Sequence, residues 1–166
     1  MGESGAPERI RRSSVKERVE HMFLGQYQHN LDNKGRLTIP ARYRDLLEAG
    51  AYVTQGFDTN LMVWTVNAFE TISRGVNQIS ITDPSSRLLR RLIYAHGERL
   101  EVDRAGRILI PSFLRQSANL DGEVVIVGVG DYFEIWSPDK WSEQLTQLQD
   151  SQANAQRFEA FDIATG

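Results

Sequence analysis

Polar and apolar residues alternate along the segment that begins at Gln26, and this period of two predicts a β-strand. Residues 32–35 have the composition of a tight turn, since an Asp side chain accepts hydrogen bonds from the amides that follow it and Gly adopts a positive φ. A returning strand is predicted at 36–39, and Pro40 then opens a short helix. The pattern therefore predicts a β-hairpin that leads into a helix.

The same order of elements occurs twice in the chain. After the first hairpin and helix, strands are predicted at 51–55 and 61–65, and Asn67 with Glu70 forms a capping pair for a helix. The second half repeats this order with a strand to 102, a turn at 103–106, a strand at 107–110, a helix from Pro111, strands at 124–127 and 132–136, and a helix from Ser137. A mainly β protein with short helices, an α+β fold, is expected.

Two helices are predicted from apolar residues at helical spacing. The helix that begins at Asp83 joins the two halves and is expected to bury four apolar residues: Leu88, Leu89, Leu92 and Ile93. The helix that follows Ser137 is expected to bury Trp141, Leu145 and Leu148. Polar residues predominate after Asp150, and this composition predicts a frayed end.

A motif of thirteen residues accounts for the repetition. Residues 32–44 return 71 positions later as residues 103–115, and six positions are identical in the two copies. The identical pairs are Asp32 and Asp103, Gly35 and Gly106, Arg36 and Arg107, Ile39 and Ile110, Pro40 and Pro111, and Arg44 and Arg115. The chain is therefore a duplication, and its function should be readable from a unit that is used twice.

Charge is distributed unevenly around this motif. Residues 1–120 carry 17 basic and 13 acidic side chains, a net charge of +4, whereas residues 121–166 carry 2 and 9, a net charge of −7. The basic residues gather in the two copies of the motif, which suits a protein that contacts a polyanion locally. On charge alone, an ordinary solvated surface is the alternative interpretation.

The Arg that follows the turn Gly is the most informative residue of the motif. A hairpin requires the Gly but not the Arg, so the recurrence of Arg36 as Arg107 indicates a function beyond turn formation. An Arg held by an Asp four residues earlier presents a fork to phosphate oxygens or to a guanine edge. Two alternatives stay open: the motif is an ordinary hairpin turn, or each Asp only pairs with its Arg and positions it.

Composition and spacing argue against several other classes of protein. The chain has 166 residues, no cysteine, and no apolar run of the roughly 20 residues that a membrane helix requires. His21, His29 and His96 have no spacing with carboxylates that suggests a metal site or a triad, and the Gly-Val-Gly at 128–130 lacks the third Gly of a dinucleotide loop. We therefore expect a cytoplasmic protein that is not an enzyme and uses no cofactor or metal.

The doubled motif resembles one known family. The runs Met22-Phe23-Leu24-Gly25 and Asn30-Leu31-Asp32, continued by Gly35-Arg36-Leu37 and Ile39-Pro40, are similar to the start of MraZ, a family of bacterial transcriptional regulators with two SpoVT-AbrB-type DNA-binding units. The second copy and the later Phe133-Glu134-Ile135-Trp136 are similar to the second half of that family. The resemblance covers about residues 22–145.

This resemblance implies a fold, an activity and a set of contact residues. The implied fold is a duplicated SpoVT-AbrB-like swapped-hairpin β-barrel formed within one chain, assembled into a ring-shaped homo-oligomer. The implied activity is repression through repeated promoter boxes of the bacterial division and cell-wall gene cluster, including the protein's own promoter, in the cytoplasm and nucleoid. The family's DNA-contact motif falls on Asp32 and Arg36 and on Asp103 and Arg107, and the full set expected to contact double-stranded DNA is Asp32, Lys34, Arg36, Arg42, Arg44, Asp103, Arg104, Arg107 and Arg115.

Five segments follow from these expectations. They are a flexible N-terminal extension at 1–21, a first DNA-binding repeat at 26–68, connecting helices at 69–96, a second repeat at 97–140, and a C-terminal helix with a frayed tail at 141–166. Two other functions stay open at this point: an antitoxin-like SpoVT-AbrB protein whose tail neutralises a toxin, and a purely structural oligomer whose arginines form intersubunit ion pairs.

Overall fold

The computed structural model describes residues 19–163. Its strands and helices follow the order that the sequence predicts, with pairs of strands separated by helices. The first half contains β1 (Gln26–Asn30), β2 (Arg36–Thr38), α1 (Ala41–Leu46), β3 (Ala51–Gln55), β4 (Leu61–Thr65) and α2 (Val66–Gln78). A connecting helix, α3 (Pro84–Arg90), continues as a π-helical turn at Arg91–Ala95. The second half contains β5 (Glu98–Leu100), β6 (Arg107–Leu109), α4 (Ser112–Ser117), β7 (Glu123–Gly128), β8 (Tyr132–Trp136), α5 (Pro138–Leu148) and α6 (Ser151–Phe158). Most of the predicted extension, residues 1–18, lies outside the described residues.

The two halves of the chain are joined mainly by strand pairing. Six strands form one antiparallel sheet in the order β1-β7-β8-β4-β3-β5, and β2 pairs with β6 in a separate antiparallel ribbon. Among the described residues, β1 pairs with β7, β2 with β6, β5 with β3, and β8 with β4, so most pairings cross from one half to the other. Neither half therefore completes its sheet without the other.

The observed sheet confirms the coarse fold prediction but not the closed barrel. The described chain is a mixed α+β structure with antiparallel strands and short helices, as the residue pattern predicts. In the six-stranded sheet, β1 and β5 are the end strands and do not pair with each other. The sheet is therefore open in its hydrogen bonding, and the strand pairing of residues 19–163 does not close a barrel.

A single large core lies beneath the sheet and the ribbon. Its centre is an aromatic cluster in which the rings of Phe23 and Tyr43 lie 4.9 Å apart and those of Phe23 and Phe133 5.2 Å apart. The Tyr43 hydroxyl donates to the Leu24 carbonyl at 2.6 Å, and burial raises the pKa of Tyr43 to about 12. Phe23 and Tyr43 belong to the first half and Phe133 to the second, so the hydrophobic effect stabilises the joined halves rather than either half alone.

Several local predictions are wrong. Leu88 of α3 has 64% of its surface exposed and Leu148 of α5 has 54%, although both were expected to be buried. The side chain that caps α2 is Thr65, which accepts from the Ala68 amide, rather than Asn67. Beyond Asp150, where a frayed end was predicted, the chain forms α6, and the Asp150 side chain caps it by accepting from the Ala153 amide.

Candidate nucleic-acid interface

The turn between β1 and β2 is built around the side chain of Asp32. Its Oδ1 accepts from the backbone amides of Lys34 and Arg36 at 2.9 and 2.8 Å. Its Oδ2 accepts from the Arg36 Nε at 2.6 Å, which adds an ion pair to the turn. Gly35 has a φ of +82°, a conformation that glycine adopts without steric cost. One carboxylate therefore closes the turn and fixes the guanidinium beside it.

The turn between β5 and β6 has the same construction. Oδ1 of Asp103 accepts from the amides of Ala105 and Arg107 at 2.9 Å each, and Oδ2 accepts from the Arg107 Nε at 3.0 Å. Gly106 has a φ of +77°. The two copies of the motif thus have the same geometry as well as a similar sequence, and in both the carboxylate binds the Nε of the Arg.

Both turn carboxylates are stabilised in their charged form. A hydrogen bond from the Arg36 backbone amide is the largest cause that lowers the pKa of Asp32, to about 2, and the Arg36 side chain lowers it further. The equivalent contacts of Arg107 lower the pKa of Asp103. Each carboxylate contacts the guanidinium of its Arg only through the Nε, and no residue between 19 and 163 accepts from the Nη atoms of Arg36 or Arg107. Four charged N–H groups on each terminal fork are therefore available to a ligand.

The β2–β6 ribbon brings the two arginines onto one surface. Leu37 lies opposite Ile108 in the register, and both are buried. Because side chains alternate across a strand, the flanking positions face outward, and these are Arg36, Thr38, Arg107 and Leu109. Arg36 is opposite Leu109 and Thr38 is opposite Arg107, so the two arginines occupy diagonal corners of this outer face.

Two further predicted contact residues, Arg44 and Arg115, occupy a different position. The Arg44 Nε donates to the Ile39 carbonyl at 2.9 Å, and the Arg115 Nε donates to the Ile110 carbonyl at 3.1 Å. A Cβ built on Gly106 would collide with the guanidinium of Arg44, and one built on Gly35 would lie 2.8 Å from that of Arg115. Each arginine therefore packs on the turn of the other repeat, a role that the sequence analysis did not anticipate.

Backbone hydrogen bonds reinforce this exchange. The Ile39 amide donates to the Gly106 carbonyl and the Ile110 amide donates to the Gly35 carbonyl, each at 2.9 Å. Each Asp–Arg turn is thus contacted by the strand end and the arginine that follow the turn in the other copy of the motif.

The remaining predicted contacts are exposed and close to the turns in sequence. Lys34 and Arg104 lie within the two turns, and Arg42 lies in the first turn of α1. All three side chains are exposed, and no hydrogen bond or ion pair engages them within the described chain. The positions equivalent to Lys34 and Arg42 hold Ala105 and Phe113, so the charge around the two turns is not symmetric.

The outer face also contains two residues that the sequence analysis did not select, Thr38 and Leu109. The alternation that places Leu37 and Ile108 in the core also places these two residues beside the arginines. The alternation of these residues is visible in the sequence, but the proximity of Thr38 and Leu109 to the arginines follows only from the pairing of β2 with β6.

Two other ionisable groups, Glu134 and His29, are half-buried. Burial raises the pKa of Glu134, whose carboxylate accepts from the Asn60 amide at 2.9 Å and from the Trp136 indole at 3.2 Å. Burial lowers the pKa of His29, and the charge of Arg44 lowers it further. Within residues 19–163, no group of three His, Asp or Glu side chains is placed to hold a metal ion, and no helix has the length and apolarity to cross a membrane.

An antiparallel ribbon that exposes two carboxylate-held arginines has the features of a β-ribbon nucleic-acid-binding protein. Comparison with known proteins gives the family. The family model described as "MraZ protein, putative antitoxin-like" matches the chain twice, at residues 22–92 and 93–162. The chain belongs to the MraZ family.

Relatives of similar length are identical to this chain at about two fifths of the aligned positions. It is 43% identical over 137 residues to the transcriptional regulator MraZ of Roseiflexus castenholzii, covering 82% of this chain and 94% of that protein. It is 41% identical over 143 residues to the transcriptional regulator MraZ of Herpetosiphon aurantiacus, covering 86% of this chain and all of that protein. The protein of the same name from Thermomicrobium roseum is 42% identical over 127 residues, with coverages of 76% and 89%.

Proposed function

We propose that this protein is a sequence-specific DNA-binding transcriptional regulator that represses the bacterial division and cell-wall gene cluster, including its own promoter, through repeated promoter boxes. The observation that carries the proposal is the outer face of the β2–β6 ribbon, where the carboxylates of Asp32 and Asp103 orient two arginines whose terminal nitrogens have no acceptor in the described chain. Relatives named transcriptional regulator MraZ support the regulatory part of this function.

Duplex DNA matches this surface in charge and in geometry. A guanidinium fork binds the O6 and N7 of guanine, or two phosphate oxygens, through parallel hydrogen bonds. A two-stranded antiparallel ribbon is narrow enough to enter the major groove. In this proposal Arg36 and Arg107 contact base edges, whereas Lys34, Arg42 and Arg104 contact phosphates and fix the orientation. Arg44 and Arg115 hold the turns in place.

The strand exchange supports a finer description of the fold. Since β1–β2 of the first repeat pairs with β7 and β6 of the second, and β5–β6 pairs with β3 and β2 of the first, we interpret the two hairpins as SpoVT-AbrB-type units swapped within one chain. A swap inside one chain leaves other surfaces free for assembly.

Assembly into a ring-shaped homo-oligomer is part of the proposal. A groove of about 750 Å³ between β4, β8 and α2 is lined by apolar side chains, among them Phe57, Met62, Trp64 and Tyr132. Phe57 in this groove and Leu88 on α3 are 62% and 64% exposed. Several copies facing one duplex would raise the effective concentration of each ribbon and favour spaced promoter boxes, as a repressor in the nucleoid requires.

Binding to the protein's own upstream DNA tests the function. Fluorescence anisotropy with this duplex and with a shuffled duplex of equal length, each at two salt concentrations, should give tighter binding to the promoter and weaker binding at high salt. A promoter-reporter assay should show repression on expression of the chain. Equal affinity for both duplexes would contradict sequence-specific regulation, and no binding to either would favour the structural-oligomer alternative.

A further inference from the structure

The outer face of the β2–β6 ribbon is symmetric in its arginines but not in the residues beside them. A half-turn about the Leu37–Ile108 pair exchanges Arg36 with Arg107 and also exchanges Thr38 with Leu109. The two repeats therefore present the same arginine with different neighbours: a hydroxyl in one case and an isobutyl group in the other.

Leu109 is exposed where the rest of the ribbon's apolar residues are buried. It exposes 55% of its surface, whereas the adjacent Ile108 exposes 1% and the opposite-strand Leu37 none. The Thr38 hydroxyl forms no hydrogen bond with any part of the described chain. Both side chains are thus free to meet whatever the arginines bind, and neither position is needed to fill the core.

The register places Leu109 within reach of the ligand of Arg36. Residues directly opposite in an antiparallel pair have Cβ atoms about 4.5–5.5 Å apart, so Leu109 and Arg36 are nearest neighbours on the outer face. On a DNA duplex, a Leu side chain has no hydrogen bond to offer, and the apolar group exposed in the major groove is the 5-methyl group of thymine. A guanine contacted by Arg36 would bring the next base pair to Leu109.

We propose that Leu109 is a specificity-determining residue that reads the 5-methyl group of a thymine adjacent to the base contacted by Arg36, and that Thr38 takes the equivalent place beside Arg107. The inference rests on the proposed DNA-binding function and adds a base preference to it. The two halves of one ribbon then recognise different base steps, so a single chain binds its site in one orientation.

Replacement of thymine by uracil tests this directly, because uracil pairs in the same way and lacks only the methyl group. A duplex is first selected from a random library by the wild-type chain, and each of its thymines is then replaced by uracil, one at a time. We expect about fourfold weaker binding at one position of each site, the effect of withdrawing one methyl group from an apolar contact. The uracil-sensitive position should lie next to an Arg36-dependent guanine.

Two variants separate a base contact from a general loss of binding. Leu109→Ser removes the apolar group and should bind thymine and uracil duplexes equally at that position, with thermal unfolding close to that of the wild type because the position is exposed. Leu148→Ser removes a leucine of nearly equal exposure from α5 and should leave the uracil effect intact.

The outcomes distinguish this inference from the function on which it rests. A wild-type chain that selects no duplex overturns both. A chain whose binding depends on Arg36 and Arg107 but is indifferent to every uracil, or whose selected site has no thymine beside the contacted guanine, overturns the inference alone. The same holds if Leu109→Ser retains the uracil effect, or if this substitution changes only the oligomeric state.

Discussion

Each turn carboxylate binds the Nε of its arginine and leaves the two Nη atoms without an acceptor in the described chain. Asp32 and Asp103 bind the Nε atoms, and this interaction removes much of the rotamer freedom that a long side chain would otherwise lose on binding. The terminal nitrogens keep their full hydrogen-bonding capacity. A lysine at either position would offer one charged nitrogen on a flexible stem, so the same atom would have to serve both the carboxylate and the ligand, without a planar fork.

Removal of either guanidinium should therefore weaken DNA binding without unfolding the protein. For Arg36→Ala and Arg107→Ala, we expect binding to the promoter duplex to weaken by about 1–3 kcal/mol and the preference over the shuffled duplex to shrink, because each variant loses a bidentate contact to a base edge. Thermal unfolding should change little, because Asp32 and Asp103 keep their bonds to backbone amides. Arg74→Ala on α2 is a matched control that should bind like the wild type. If the Arg36 and Arg107 variants both bind like the wild type, the assignment of the site is wrong.

Acid should reveal the contribution of the Asp32 carboxylate to stability. Its pKa is lowered from 3.8 to about 2 in the folded chain, so the folded state favours the ionised form. The stabilisation is complete above pH 3.8 and is lost as the pH falls toward 2. The difference in unfolding free energy between the wild type and Asp32→Asn, measured by urea titration, should shrink over this range. A difference that stays constant from pH 5 to about pH 2 would contradict this account.

At the scale of elements, the two hairpins hold each other through an arginine and a glycine. Substitution of Gly106 by Ala forces a side chain into positive φ and against the guanidinium of Arg44. We expect Gly106→Ala to destabilise the fold by about 1–3 kcal/mol, with part of this destabilisation relieved when Arg44→Ala is added. A double-mutant cycle from urea unfolding measures this coupling.

The matched control for this cycle is the arginine of the other repeat. Arg115 packs on Gly35 rather than on Gly106, so Arg115→Ala and Gly106→Ala should add independently. Equal coupling of Gly106 to both arginines would show that the exchange between hairpins is not the source of the effect.

Local chemistry explains which elements were predictable from the sequence. The turns at 32–35 and 103–106 and the helices after Pro40 and Pro111 depend on residues within a few positions of each other, and all are observed. The burial of Leu88 was wrongly predicted because the helix has a π-helical turn at Arg91–Ala95. This turn changes the rotation per residue, so the residues before the turn and those after it do not share one regular face.

The candidate site was only partly predictable for a different reason. The motif identified Arg36 and Arg107, since each follows a turn Gly, but it gave Arg44 and Arg115 the same role because all four are basic and close in sequence. Their separation depends on which strand lies beside which, and strand partners are not encoded in the alternation of a single strand. The pairing of β1 with β7 and of β2 with β6 likewise joins strands that are far apart in the sequence and that periodicity cannot match.

At the scale of the whole molecule, the exposed apolar surface predicts self-association. We expect a closed homo-oligomer larger than a dimer, with a mass by light scattering that is constant over a range of micromolar concentrations. Phe57→Ser should weaken the assembly because Phe57 lines the apolar groove. Phe161→Ser, which alters a phenylalanine of similar exposure near the C-terminus, should not. A wild-type chain that is monomeric at these concentrations would contradict the expectation.

The pairing of β1 with β7 sets the order of events during synthesis. Tyr27 lies opposite Ile126 in the sheet, so about a hundred residues must be added to the chain before β1 has its neighbour. At roughly 5–20 residues per second, the first hairpin waits on the order of 5–20 s on the ribosome. Within the described first half, β3 and β4 form a ladder with each other and can do so before that time. The two Asp–Arg turns therefore reach their final places together, late in translation, and a nascent chain acquires both candidate sites at once.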